Sequence, residues 1–224
     1  MTVWTRSNPK IAKSQKHGIL TAVLHLAPAR ESGVANVCPW STAGCRATCL
    51  NTAGRGGILK HGETTNTIQE ARKTRTRALF ADRDLFIRQA NRELVGLRRK
   101  ARRNGLTLAV RVNGTSDLIW LGRRLAKDNR DVRFYDYTKA PVKALLGTDW
   151  VHYTVSYREG MSADDVRGAV ALGFNVAVVF STRRGEALPA EWFGLPVLDG
   201  DVTDYRPGDP KGYIVGLRAK GKAR

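Results

Sequence analysis

The first mostly apolar stretch of the chain is Ile19 to Leu26 (ILTAVLHL), bounded by Gly18 and Pro28, and it reads as a buried strand. Residues 1–18 before it are polar and basic, with Lys10, Lys13 and Lys16 spaced by three, which predicts an extended or loosely ordered arm. Residues 28–66 are rich in Gly, Ser, Thr, Pro and Cys and have no period. A stretch that long without an element is functional or disordered. Thr67-Ile-Gln-Glu70 has the form of a capping box. In the helical region that follows, Ile87, Ala90, Leu94, Leu97 and Ala101 recur every three or four residues. Arg88, Arg92, Arg99 and Arg103 fall on another face. Ala81-Asp82 divides this region into two helices, and Asn104-Gly105 ends it.

The remainder alternates. Strands are expected at 106–112, 131–135, 150–155 and 175–180, with two short ones at 195–198 and 213–217. Helices are expected at 117–127, at 139–146, and from the Ser162–Asp165 cap to Leu172. Such alternation predicts an α/β fold of parallel β/α units: a single β/α barrel of the TIM type, incomplete at six or seven strands. Residues 19–217 would form that domain, flanked by the arm and by a basic tail, 218–224. In β/α folds ligands gather where strands end. The residues at those ends are Asn113–Asp117 (NGTSD), Asp136–Lys139 (DYTK), Ser156-Tyr157, Ser181-Thr182 and Asp199–Asp201 (DGD). Each could simply cap the next helix, but five polar sets at five strand ends favour a functional rim.

Composition narrows the class. With 224 residues, 42% hydrophobic and 26% charged, the chain has ordinary globular values, which exclude disorder and fibrous repeats. No apolar run approaches the roughly 18 residues of a membrane span, and the polar start lacks a secretory signal. The expectation is a soluble cytoplasmic protein with no membrane partner. Net charge is +18, and it is uneven: residues 1–112 carry 21 basic and 6 acidic side chains, the rest 17 and 14. Arg outnumbers Lys 26 to 12. Arg forks suit phosphate, so the expected partner is DNA or RNA, bound largely without sequence preference. Arg72, Lys73, Arg75, Arg88, Arg92, Arg99 and Arg103 are the expected contacts, with Trp40 and Tyr137 as stacking aromatics.

All three cysteines, Cys38, Cys45 and Cys49, lie in a Cys-x6-Cys-x3-Cys loop. An odd, clustered count in a cytoplasmic chain argues against a disulfide framework and for a metal. A [4Fe-4S] cluster on three cysteines is the leading expectation. Zinc is the alternative, with His17, His25 or His61 as the added ligand. For the cluster's fourth iron, His25, Asp117, Asp199 or a small molecule is open.

The placement of this loop after the first strand of a β/α series resembles the radical S-adenosylmethionine (SAM) superfamily. There a three-Cys loop holds a [4Fe-4S] cluster and SAM occupies the fourth iron. The usual spacing in that superfamily is Cys-x3-Cys-x2-Cys, so the resemblance is one of architecture. It implies an enzyme acting on a nucleotide or nucleic acid, with Asp117, Asp136 and Lys139 as candidates for proton transfer or ribose contact. The glycine-rich loop Ala53–Gly57, through Gly54, Arg55 and Gly56, would suit a phosphate or a SAM-like carboxylate. A second resemblance runs through TAVLHLAPA at 21–29, NVCPW at 36–40, LNTAGRG at 50–56, NGTSD at 113–117, FYDYTK at 134–139 and LDGD at 198–201. By these segments the chain is similar to a family of small actinobacteriophage proteins of unassigned function. This resemblance implies a phage-encoded protein of the host cytoplasm.

Overall fold

The computed structural model describes residues 1–5, 9–183 and 185–223. A seven-residue helix, α1 (Pro9–Gln15), precedes strand β1 (Ile19–Val23). After the cysteine loop and its short helix α2 (Ala43–Ala47) come two long helices, α3 (Thr67–Ala81) and α4 (Arg83–Arg103). They lead into β2 (Thr107–Arg111), α5 (Ile119–Asp128), β3 (Arg133–Thr138), β4 (Val151–Ser156), α6 (Ala163–Ala171) and β5 (Val176–Phe180). The chain finishes with β6 (Glu191–Trp192), β7 (Leu195–Asp199) and β8 (Ile214–Arg218).

The eight strands form one sheet in the order β1-β2-β3-β4-β5-β8-β7-β6. Every neighbouring pair is parallel except the short β6–β7 pair. The expected α/β class is present, but the sheet is open and is not a TIM-type barrel. Closure requires the first and last strands to pair. Here β8 inserts between β5 and β7, and the outer edge is the two-residue antiparallel β6, so among the described residues no strand returns to β1. Side chains span part of the gap: Arg111 on β2 reaches Asp204 beyond β7 at 3.1 Å, and Lys13 donates to the Asp201 carbonyl at 3.3 Å.

The period-two alternation of the strands divides their side chains between two faces. Leu20, Ala22 and Leu24, with Leu108, Val110 and Val112, pack against Leu79 of α3 and Ala90, Leu94 and Leu97 of α4. The alternate positions, among them Thr21, Val23, His25, Arg111 and Asn113, face a cavity. One face is therefore core and the other is site.

Local signals decide most boundaries. Asp82 ends α3 and caps α4, its carboxylate accepting from the Leu85 N–H at 2.8 Å. Ser162 and Asp165 form the capping box of α6. The cap of α3 is one residue earlier than the TIQE pattern implies: Asn66 accepts from Ile68 and Gln69. The helix expected at 139–146 shrinks to a 3-10 turn, Val142–Ala144, after Pro141.

The termini also differ from the expected arm and tail. Val3 and Trp4 are buried, Trp4 Nε1 donating to the Ala90 carbonyl at 3.0 Å, and Thr5 bridges Val23. At the other end Ala219 is buried and Lys220 pairs with Asp201. Apolar Trp4 and the β8 continuation dock where a net-charge reading of these segments sees only basic residues. Lys10's side chain and Arg224 lie outside the described residues. No described helix is long and apolar enough to cross a membrane.

Candidate functional site

A cavity of about 570 Å³ opens at the carboxyl ends of the parallel strands. That volume is in the range of small-molecule sites. One wall is the cysteine loop, contributing Cys38, Cys45 and Cys49. The lining continues with Asn113–Asp117 after β2, Thr138 and Lys139 after β3, and Ser156 and Tyr157 after β4. Ala177, Val179 and Leu217 add an apolar side, and Arg111, stacked 4.7 Å from the Tyr137 ring centroid, lines it too.

The loop is held at several points. Val37 is buried, and its carbonyl accepts from the Asp117 N–H at 2.8 Å, tying Cys38 to the end of β2. Cys38 Sγ accepts from the Ala29 N–H at 3.3 Å, and Cys49 Sγ from the Asn51 N–H at 3.5 Å. Thr42 caps α2 by accepting from the Cys45 N–H at 3.1 Å. Asn51 is buried and donates to Glu31 at 2.7 Å, while its own carbonyl groups accept from Arg72.

Burial shapes the titration of these groups. It pushes the Cys38 thiol up to about 12, with the neighbouring Cys49, Asp117 and Cys45 adding to the shift against the Ala29 hydrogen bond. The Cys49 thiol is raised for the same leading reason. Burial, then Arg72, Arg111 and Arg75, drives His25 down to about 3, so it is neutral. Asp117 is raised by burial although Thr138 Oγ1 donates to it at 2.6 Å and the Lys139 N–H at 2.8 Å.

The sequence-predicted residues are thus partly gathered. The three cysteines, Asp117, Lys139, His25 and Gly54 line the cavity. Asp136 does not: it lies on the α5 side of β3, fully buried, accepting from the Asn113 N–H and side-chain amide. Its role is to hold the NGTSD loop, because Asn113 Oδ1 in turn accepts from Ser116 and from the Leu118 N–H. Gly56 is no cradle either. A Cβ there would stand 2.9 Å from the Asn51 carbonyl, and Gly56's own carbonyl accepts from Asn66 and Gln69. Arg55 is exposed, on the same 3-10 turn. His17 and His61 are exposed and do not line the cavity, nor do Ser181, Thr182 and Asp199, the last pairing with Arg218 at 2.8 Å. Among the described residues, no three His, Cys, Asp or Glu side chains stand together as a set for a single metal ion.

Of the expected nucleic-acid contacts, Arg72 is withdrawn, because it is buried and committed to Asn51. Lys73 pairs with Glu70 at 2.8 Å, and Arg75 donates to the Thr2 carbonyl at 2.8 Å. Arg88, Arg92, Arg99 and Arg103 are exposed on α4. That helix covers the sheet face opposite the cavity. Of the two stacking aromatics, Tyr137 lines the cavity and Trp40 does not. Arg111 escaped the reading of the strand LTLAVRV, although a charge at a position in phase with Ala109 and Asn113 marks a non-core face.

The family model described as Gene product 88 matches residues 2–224. No curated protein and no solved structure matches the chain.

Proposed function

The chain belongs to the Gene product 88 family, and from that premise and its cavity we propose an iron–sulfur protein whose chemistry takes place at the carboxyl ends of the strands. The observation that carries the reading is the convergence of Cys38, Cys45 and Cys49 with Asp117 and Lys139 on one cavity. The donor set suits a cluster. Backbone N–H groups point at two of the sulfurs, as thiolates require, and burial makes those thiolates costly without a cation to neutralise them. Cys38, Cys45 and Cys49 would hold a [4Fe-4S] cluster, which would supply electron-transfer chemistry at the cavity. In the enzymatic form of this reading, radical-SAM-like, SAM is the cosubstrate and a nucleotide-sized molecule the substrate. Asp117 supplies a carboxyl group whose raised pKa suits proton transfer. Lys139 supplies a positive charge, its Nζ donating to the Tyr157 carbonyl at 3.4 Å.

Anaerobic reconstitution, iron and sulfide analysis and electron paramagnetic resonance test the proposal. The expected result is a brown protein of [4Fe-4S] stoichiometry that loses its iron in Cys38→Ser, Cys45→Ser and Cys49→Ser. Colourless protein with stoichiometric zinc overturns it. Reductive cleavage of SAM by the reduced protein supports the enzymatic form, and absence of SAM binding in calorimetry removes that form alone.

A second reading, nonspecific binding of DNA or RNA, is favoured by the exposed arginines of α4. Phosphate neutralisation makes such binding fall steeply with salt. Gel shifts across a salt series test it, and affinity unchanged by salt contradicts it.

A further inference from the structure

We infer that the outer face of α4 and α5 is a track for single-stranded nucleic acid, with Trp120 and Trp150 as its stacking platforms. The inference rests on the second reading above and adds to it the strandedness and the residues.

The two helices lie side by side. Asn129, at the end of α5, donates to Asn91 of α4 at 2.8 Å and accepts from Arg98 at 2.7 Å. Acids near the seam are spent locally: Asp131 on Arg98 at 2.6 Å, Asp128 on Arg124 at 3.5 Å, and Glu93 on the Val3 and Trp4 N–H groups. What remains on the exposed side is mainly cationic, with Asp84 in the first turn of α4 as its exposed acid and Leu85 and Val95 as exposed apolar residues. Arg88, Arg99, Lys100, Arg102, Arg103 and Lys127 have no carboxylate within ion-pair distance among the described residues, and Arg92 reaches only Gln89. The 21 residues of α4 spread this charge over about 30 Å.

Aromatic rings stand at both ends of the strip. Trp120, in the first turn of α5, is 37% exposed, with the Arg83 guanidinium 5.3 Å from its ring centroid. Trp150 is 39% exposed, with Arg130 3.5 Å from its centroid. Large rings this open on a charged surface are available to the faces of unpaired bases, which a duplex keeps buried in its own stack. A cationic surface with aromatic platforms is the arrangement that binds single strands without sequence preference. Because α4 packs on the sheet face away from the cysteines, a strand bound here is not delivered to the cavity. The surface anchors the protein on nucleic acid independently of the cavity's chemistry.

Fluorescence anisotropy of the full chain with a labelled 20-nucleotide mixed-sequence DNA strand, and with the same sequence as a duplex, tests this across a salt series. The single strand is expected to bind at least tenfold tighter. Trp120→Ala with Trp150→Ala should weaken single-strand binding by about tenfold or more per ring, leaving the salt slope unchanged. Phe at both positions should restore most of it and also serves as the folding control. Replacing Arg88, Arg92, Arg99 and Arg103 with Gln should weaken both probes and lower the salt slope by about 3 for the strand. Equal or tighter duplex binding, with the Trp variants unaffected, overturns the single-strand inference while leaving the basic-surface reading standing. Unchanged binding of both probes by the Gln variant, or binding of neither probe at low salt, overturns both.

Discussion

Asp136 on β3 and Asn113 at the end of β2 are joined twice inside the protein: the carboxylate accepts the Asn113 N–H at 2.7 Å and its side-chain amide at 3.1 Å. Through Asn113 this pair sets the conformation of the loop that carries Thr115 and Asp117 into the cavity. Burial raises the Asp136 carboxyl to about 7. Between about pH 4 and pH 7 the folded protein then keeps a proton that the unfolded chain has released, so this group's contribution to stability declines as pH rises through that window. Asp136→Asn cannot ionise. Its melting temperature relative to the parent is expected to improve from pH 5 to pH 8, and parallel melting curves would contradict the assignment. Asn113→Ala strands a buried acceptor and should cost about 1–3 kcal/mol in denaturant unfolding.

His25 shows the opposite sign. Its folded pKa, about 3, lies below the usual value of 6.5, so the stability tied to its neutral form is present above that value and is lost as pH falls toward 3. His25→Gln should flatten the acid limb of the stability curve. A variant whose acid limb matches the parent's would show that His25 is solvated in the fold.

Gly114 has no room for a side chain. A Cβ there would stand 2.8 Å from His25 Cδ2, the Leu24 carbonyl and Val23 Cγ1. The carbonyl belongs to the strand end and cannot step aside, so Gly114→Ala should destabilise by about 1–3 kcal/mol. Gly168→Ala, with open space on α6, is the control expected to be neutral or stabilising.

Arg72 carries the cysteine loop's far end. Its Nη1 donates to both the backbone and the side-chain carbonyl of Asn51, two residues past Cys49. Arg72→Met leaves these buried acceptors unpaired. It should lower stability by about 1–3 kcal/mol and speed loss of iron from reconstituted protein. Retention at the parent's rate would show that the loop is held without it.

Cys38 in metal-free protein should be a poor nucleophile. A thiol pushed up to about 12 exposes far less thiolate at pH 8 than an ordinary cysteine. Alkylation followed by mass spectrometry is expected to run at least a hundredfold slower at Cys38 than at a model thiol. A rate within a few-fold of the model would mean that the site is open or already supplied with positive charge.

Much of the fold was legible because it is written locally. The 3.6-residue recurrence of Ile87, Ala90, Leu94, Leu97 and Ala101 makes the buried stripe of α4, and Asp82 both interrupts and caps. The rim was legible in part. Asn113–Asp117, Thr138, Lys139, Ser156 and Tyr157 do line the cavity, because a side chain just past a strand end leaves the packed core. Asp136 misled because a carboxylate at a strand end looks the same in sequence whether it faces the ligand side or the helix side. Arg72 misled because a helix rich in arginine does not announce which one turns inward.

The sequence by itself determined most of the elements, the clustering of three cysteines behind the first strand and the excess of positive charge, since each depends on residues close together in the chain. Tertiary structure alone decided that β8 enters the sheet between β5 and β7 and leaves it open, that the basic face of α4 and the cysteine cavity lie on opposite sides of that sheet, and that Asp117 rather than Asp136 reaches the cavity. Those outcomes depend on which strands pair and which face each residue turns to, and strand order is fixed by pairings between segments far apart in the chain, such as Ile19 of β1 with Thr107 of β2, 88 residues away.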